Sequence, residues 1–229
     1  MVKVDLHTHT RASPDSWIPP ARLAIVAKNR GLDSVAITDH STTAGWKEAK
    51  EGAKKAGIQL ILGEEVGVKP TGRTVGEIIG LFMNEEVSGR GKTAVEVIDA
   101  LKAQDAVIVL PHPFDRFRKV FPEEELREIA VKVDAVESFN AHVLLPEFNE
   151  KAENFADEFG LPKCAGSDAH TSLEVGRAWN EAKAKDLEEF RKELLAGRIS
   201  ISGDYAYLIA RLAPIFAKMK TKLFGKRKS

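Results

Sequence analysis

Short apolar runs of strand length alternate with helix-length segments along most of this chain, and one run after another ends in a polar cluster rich in histidine and carboxylate. That alternation restricts the fold more than any other feature. Val2 to Leu6 alternates as a strand, and a helix pattern follows from about Pro20 to Asn29, with Pro19-Pro20 at its entry and Gly31 past its exit. Ser34 to Thr38 forms a second strand, Thr42 or Thr43 can cap a helix running through Lys55, and Gly57 closes it before a strand at Ile58 to Leu62. Further strands are expected at Ile78 to Met83, Ala106 to Leu110, Ala135 to Ser138 and Pro162 to Ala165. Helices are expected at Thr93 to Gln104, Pro122 to Val131 and Pro146 to Phe159. Such alternation predicts a parallel sheet with helical crossovers. Six or seven units before residue 204 suit a closed or nearly closed β/α barrel better than an open sheet.

A chain of 229 residues can bury a core of that size as one domain. Its 34 basic and 34 acidic residues balance, so composition alone selects no polyanionic partner. The balance conceals an asymmetry. Past Asp204 there is no acidic residue, while Arg211, Lys218, Lys220, Lys222, Lys226, Arg227 and Lys228 supply positive charge. A single cysteine, Cys164, excludes an internal disulfide and a cysteine-rich zinc site, and it reads as an inward-facing strand residue. With a strand pattern starting at Val2, no signal-peptide pattern and no apolar stretch of membrane-spanning length, the expected location is the cytoplasm.

The histidines carry the chemistry. His7-Thr8-His9 on extended backbone directs both imidazoles to one side, because side chains alternate with period two. Alone the pair is a weak signal, but Asp39-His40, Glu64-Glu65, His112 in Leu110-Pro111-His112-Pro113, and Asp168-Ala169-His170 each follow a strand. Glu137 obeys the same rule. In a β/α barrel these positions gather at the C-terminal ends of the strands, where catalytic residues sit. Mixed imidazole and carboxylate donors without sulfur suit zinc, manganese or iron.

In the motifs His7-Thr8-His9, Thr38-Asp39-His40, His112-Pro113 and Gly166-Ser167-Asp168-Ala169-His170 the chain resembles the PHP family, the polymerase and histidinol phosphatase metallohydrolases. The resemblance covers roughly residues 1–204. It implies a distorted, TIM-like β/α barrel of about seven strands holding two or three divalent metal ions. Carried over by position, His7, His9, Glu65 and Asp168 would hold one ion, and Asp15, His40 and His170 a second. Glu65 would bridge to a third ion also held by His112. The family commonly places a histidine where Glu77 stands here, and some relatives carry histidine in place of Asp15; the added oxygen ligands tilt the site toward manganese or iron.

The implied activity is that of a metal-dependent phosphoesterase, acting on a small phosphorylated metabolite or a nucleotide by attack of a metal-bound hydroxide. No side-chain nucleophile is evident: Cys164 is followed six positions later by His170, not arginine, so a cysteine-phosphatase loop is missing. Arg11, His142 and Arg177 are the candidates for holding the substrate phosphate. Two rivals stand beside this reading. An amidohydrolase-type barrel also begins with His-x-His and ends with a metal-binding aspartate, but the lysine that bridges ions in many of them has no counterpart at Glu65. A non-catalytic barrel subunit of a nucleic-acid complex would be expected to have lost ligands that this chain retains.

Residues 205–229 form a separate tail. Tyr205, Leu208, Ile209, Leu212, Ile215, Phe216, Met219 and Leu223 recur at helical spacing, with Pro214 splitting the stripe. An amphipathic basic helix is expected, packed on the barrel or turned toward another subunit, a nucleic acid or an anionic membrane surface.

Overall fold

The computed structural model describes residues 1–206. In chain order the elements are β1 (Val2–Asp5), α1 (Pro20–Asn29), β2 (Ser34–Ile37), α2 (Trp46–Ala56), β3 (Gln59–Val68), β4 (Gly76–Leu81), α3 (Ala94–Lys102), β5 (Val107–Leu110), α4 (Glu123–Ala130), β6 (Ala135–Asn140), α5 (Glu147–Phe159), β7 (Lys163–Gly166), β8 (Ala178–Ala182), α6 (Leu187–Leu195) and β9 (Ser200–Gly203). One nine-stranded sheet runs in the order β7-β6-β5-β4-β3-β2-β1-β8-β9.

Helix boundaries follow local chemistry where a residue can act alone. Pro20 occupies the first turn of α1, and Thr93 and Glu96 form a reciprocal capping box on α3. The expected threonine cap of α2 is corrected. Gly45 stands at that N-terminus without a side-chain cap, and a Cβ there would come within 2.9 Å of Asp39 Oδ2. Helices α1 and α2 pack closely because Gly52 has no side chain; a Cβ would meet the Ala21 carbonyl oxygen.

The sheet is mixed, which corrects the expectation of an all-parallel one. β1/β2, β2/β3, β5/β6 and β6/β7 are parallel, while β4 is antiparallel to both β3 and β5. The reason lies between β3 and β4: residues 69–75 form a short loop with no crossover helix, so the chain returns as a hairpin. Two more strands raise the count above the expected seven. β8 runs antiparallel to β1, and β9 antiparallel to β8.

Alternate residues of the strands supply two apolar layers. Val35, Ile37, Ile108, Leu110 and Val136 face the helices, whereas Val4, Ala36, Ile61, Ile79, Val107, Val109, Ala135 and Cys164 fill the interior. Phe190 and Leu194 of α6 join that interior cluster, so α6 plugs one end of the barrel. The other end, where the parallel strands finish, is left for the polar loops.

Closure is achieved partly by one side chain. The backbone after β7 pairs with the backbone after β1, through Asp168 N–H to His7 O (2.8 Å) and His9 N–H to Ala169 O (3.0 Å). Further down the seam Asn180 of β8 takes the place of a strand: its Nδ2 donates to Ala165 O (2.7 Å) and Val4 O (3.1 Å), and its Oδ1 accepts from Ala165 N–H (2.8 Å). Replacing Asn180 with alanine leaves three buried backbone groups without those partners. The expected loss is about 3 kcal/mol of unfolding free energy, measurable by urea denaturation.

No helix among the described residues is long and apolar enough to cross a membrane. Of the expected basic tail, only its first residues fall in the described part. Tyr205 packs 5.4 Å from the Phe139 ring, and Ala206 N–H donates to Ala141 O, beside the C-terminal end of β6. The helical stripe from Leu208 onward lies outside the described residues.

Candidate metal centre

Strand ends and loops at the open end of the barrel deliver the ligand-type side chains. His7 and His9 continue from β1, and Asp15 follows in the same loop. The β2–β3 pairing continues past Ile37 through Glu65 N–H to Asp39 O and Ser41 N–H to Glu65 O, which sets His40 beside Glu65. Glu77 comes from β4, His112 from the loop after β5, and Asp168 and His170 from the loop after β7. His7, His9, Asp15, Glu65, His112, Asp168 and His170 are buried, and His40 and Glu77 are partly open to a cleft.

Glu65 is the hub. Its Oε1 lies 3.1 Å from His112 Nε2 and 3.5 Å from His7 Nε2, while Oε2 lies 2.6 Å from His40 Nδ1 and 3.6 Å from His9 Nε2. Asp168 Oδ1 stands 3.1 Å from His9 Nε2 and 3.7 Å from His7 Nε2. Asp15 bridges His40 Nε2 (3.3 Å) and His170 Nε2 (3.7 Å). Donor atoms converge in four groups: His7 with His9 and Glu65; His7 with His112 and Asp168; His9 with His40 and His170; and His40 with Glu65 and Glu77. All nine candidate ligands from the sequence therefore come together. The grouping differs in detail: His9 joins His40 and His170, His112 joins His7 and Asp168, and Glu77 joins His40 and Glu65.

The donor set fits cations. Nε2 of His7 and Nε2 of His9 stand 3.0 Å apart. His7 Nδ1 lies 2.9 Å from Glu137 Oε1, an arrangement that keeps the proton on Nδ1 and turns the Nε2 lone pair inward. His170 Nδ1 is held in the same way by the Asp168 carbonyl at 2.8 Å. Lone pairs brought together in this manner repel unless a cation lies between them. Glu65 Oε2, Asp168 Oδ1 and His170 Nε2 are buried without a well-aligned hydrogen bond, which is costly for polar atoms in a protein interior.

Electrostatics follow from the crowding. Burial and the neighbouring His9 lower the pKa of His170, and burial with His40 lowers that of His9. Burial opposes ionisation of Asp168, yet Arg118 and His7 beside it hold its carboxyl well below the usual carboxylate range. Backbone strain concentrates here as well. Ser41, His112 and Asp168 all have positive φ (49°, 28° and 51°) without being glycine, a conformation retained where the surroundings over-determine it.

Several contributors escaped the sequence reading. Glu137 was noted only as a strand-end carboxylate; it orients His7 and also accepts from His112 N–H (2.9 Å) and Asn140 Nδ2 (2.9 Å). Asp39 organises the β1 loop, accepting from Thr10 N–H, Thr10 Oγ1 and Ser13 Oγ, instead of pointing into the cluster. Arg118 pairs with Asp168 Oδ2 at 2.5 Å. The one signal for it in the sequence was the run of basic residues after Pro113. Glu137→Ala is expected to weaken metal binding about 10- to 100-fold, read by competition with a chromophoric chelator.

A cleft of about 630 Å³ opens over the cluster, lined by Asp15, His40, Glu77, His142 and His170 together with Lys69, Arg116, Arg118 and Lys119. Of the phosphate candidates, His142 lines it, with Nδ1 2.8 Å from Glu174 Oε1. Arg11 is exposed, and neither Arg11 nor Arg177 is among the lining residues.

Residues 146–199 match the family model described as PHP-associated. Over 151 residues the chain is 36% identical to an uncharacterized protein of Methanocaldococcus jannaschii, covering 62% of this chain and 83% of that one. The chain belongs to the PHP family. A 5'-3' exoribonuclease of Haemophilus influenzae is 36% identical over 111 residues, covering 44% of this PHP chain and 40% of its own length. The barrel superposes with a TM-score of 0.73 on a two-domain protein from Bacteroides vulgatus that contains a predicted PHP-like metal-dependent phosphoesterase. That match is 21% identical and covers 95% of this chain and 69% of the other.

Proposed function

We propose that this PHP protein is a metal-dependent phosphoesterase that hydrolyses a phosphate ester of a small metabolite or a nucleotide. The observation that carries the reading is the convergence of His7 Nε2 and His9 Nε2, 3.0 Å apart, against Glu65 and Asp168 on the floor of a cleft lined with cations. His7, His9, Glu65 and Asp168 would hold one divalent ion, Asp15, His40 and His170 a second, and Glu65, Glu77 and His112 would serve a third. Manganese, iron and zinc all suit such oxygen and nitrogen donors. Ions bound there acidify water and offset charge that builds on phosphoryl oxygens.

The protein's own groups do the rest. Glu137 keeps the His7 proton on Nδ1, and the Asp168 carbonyl does the same for His170. The cationic lining attracts an anionic ester, and the buried floor limits the access of bulk water. The test is elemental analysis of the purified protein paired with hydrolysis of p-nitrophenyl phosphate and of its bis-ester in added manganese or zinc, with His9→Ala as control. Two or three metals per chain and metal-dependent hydrolysis abolished by the substitution are the expected outcome. A metal-free protein inactive on both esters would overturn the reading, and the preferred ester narrows the substrate.

A further inference from the structure

We propose that Arg118 is a substrate-contacting residue whose guanidinium grips the phosphoryl group under attack. The inference rests on the phosphoesterase reading and adds to it a residue that neither the motifs nor the resemblance assigned.

The loop after β5 is built to bring Arg118 back over the cluster. His112 begins it as a cluster member, Asp115 N–H donates to His112 O (3.1 Å), and Arg118 N–H donates to Asp115 O (2.9 Å). These two successive turns reverse the chain. The buried Asp115 carboxylate fixes the bend by accepting from Phe117 N–H (3.0 Å) and lying 3.5 Å from Arg118 Nε. The guanidinium then reaches Asp168 Oδ2 through Nη2 at 2.5 Å, with its side chain 17% exposed on the cleft. Arg118 lines the cleft, so its guanidinium, with five N–H donors in a planar fork, stands between Asp168 and the space an anionic ligand would enter.

Charge explains why such a group is needed. Asp15, Glu65, Glu77 and Asp168 face the cluster, and divalent ions seated there are largely offset by these carboxylates. An incoming phosphate monoester brings a further two negative charges at most. A permanently charged, planar fork within reach of the ligand set is the side chain suited to receive them. Burial would disfavour the Arg118 charge, but Asp168 and Glu65 more than restore it.

Manganese-loaded wild type, Arg118→Ala and Arg118→Lys are compared by calorimetric titration with inorganic phosphate, by steady-state hydrolysis of p-nitrophenyl phosphate, and by manganese content. Arg118→Ala should raise the phosphate Kd and the KM by tenfold to about a hundredfold with manganese content unchanged, and Arg118→Lys, which keeps the charge, should recover part of the loss. Unchanged Kd and KM in either variant overturn the proposal, as does a wild type that binds no phosphate. Loss of manganese in both variants also overturns it, assigning Arg118 to the positioning of Asp168. Phosphate binding that depends on Arg118 in a protein that cleaves no phosphate ester would remove the phosphoesterase reading and leave this contact standing.

Discussion

A Glu65→Gln protein is expected to leave manganese loading with fewer ions than the wild type and with phosphatase activity lower by at least about a thousandfold. Among the described residues no other carboxylate of the cluster has four imidazoles within 4 Å. Its two oxygens lie within 3.6 Å of His7, His9, His40 and His112, so it stands between the donor groups. Glutamine preserves shape and volume but removes the charge. Its amide nitrogen also turns one of the two acceptor sites into a donor aimed at an imidazole. Burial opposes ionisation of the Glu65 carboxyl, yet His40 and His7 hold its pKa well below the ordinary value, so the native site is organised around the ionised form. Elemental analysis and a manganese titration separate the metal defect from a folding defect. A Glu65→Gln protein that keeps its full complement of ions and near-normal turnover would show that the hub is structural.

Gly166→Ala should be nearly as damaging, for a steric reason. Gly166 ends β7, and a Cβ on it would stand 2.3 Å from both Glu137 Oε1 and His7 Cβ. Neither neighbour can yield cheaply. Glu137 is held by His7, His112 N–H and Asn140, and the His7 backbone is held by the seam with Asp168. The added methyl must push apart the two strand ends that position the first histidine. Overpacking of this kind costs about 1–3 kcal/mol, and the distortion falls on a ligand whose placement must be accurate to about half an ångström. The expected result is a lowered melting temperature together with weakened manganese binding. A variant as stable and as metal-competent as the wild type would show that the β7 end has slack that the close approach conceals.

The failures of the sequence reading have a common origin. Helix α2 was expected to start from a threonine cap because Thr42 and Thr43 precede it. The space at that end is instead taken by the Asp39 and Thr10 side chains, and only Gly45 fits. The strand at β4 was recognised, but its antiparallel direction depends on how residues 69–75 return, which apolar periodicity does not encode. β8 and β9 are short, and their roles come from pairing with β1 and with each other. The phosphate candidates were chosen by proximity in sequence to a motif. Proximity in space keeps His142 on the cleft and adds Arg118, which the turns after His112 fold back, while neither Arg11 nor Arg177 is among the lining residues.

Local patterns indicated the barrel and the polar clusters at His7 and His9, His40, Glu65, His112, and Asp168 and His170, and the resemblance to the PHP family added Asp15 and Glu77 to the candidate ligands. Period-two apolar runs specify buried strands, and polar residues that interrupt them at the same end of each run must emerge together once the strands align. Only the tertiary structure decided which nitrogen of His7 faces inward, that one carboxylate, Glu65, serves four imidazoles, and that a side-chain amide, Asn180, bridges the seam where the backbones of β1 and β7 do not pair. Those outcomes depend on distances between residues far apart in the chain. The balance of burial, charge and steric fit that sets them exists only after the sheet has closed.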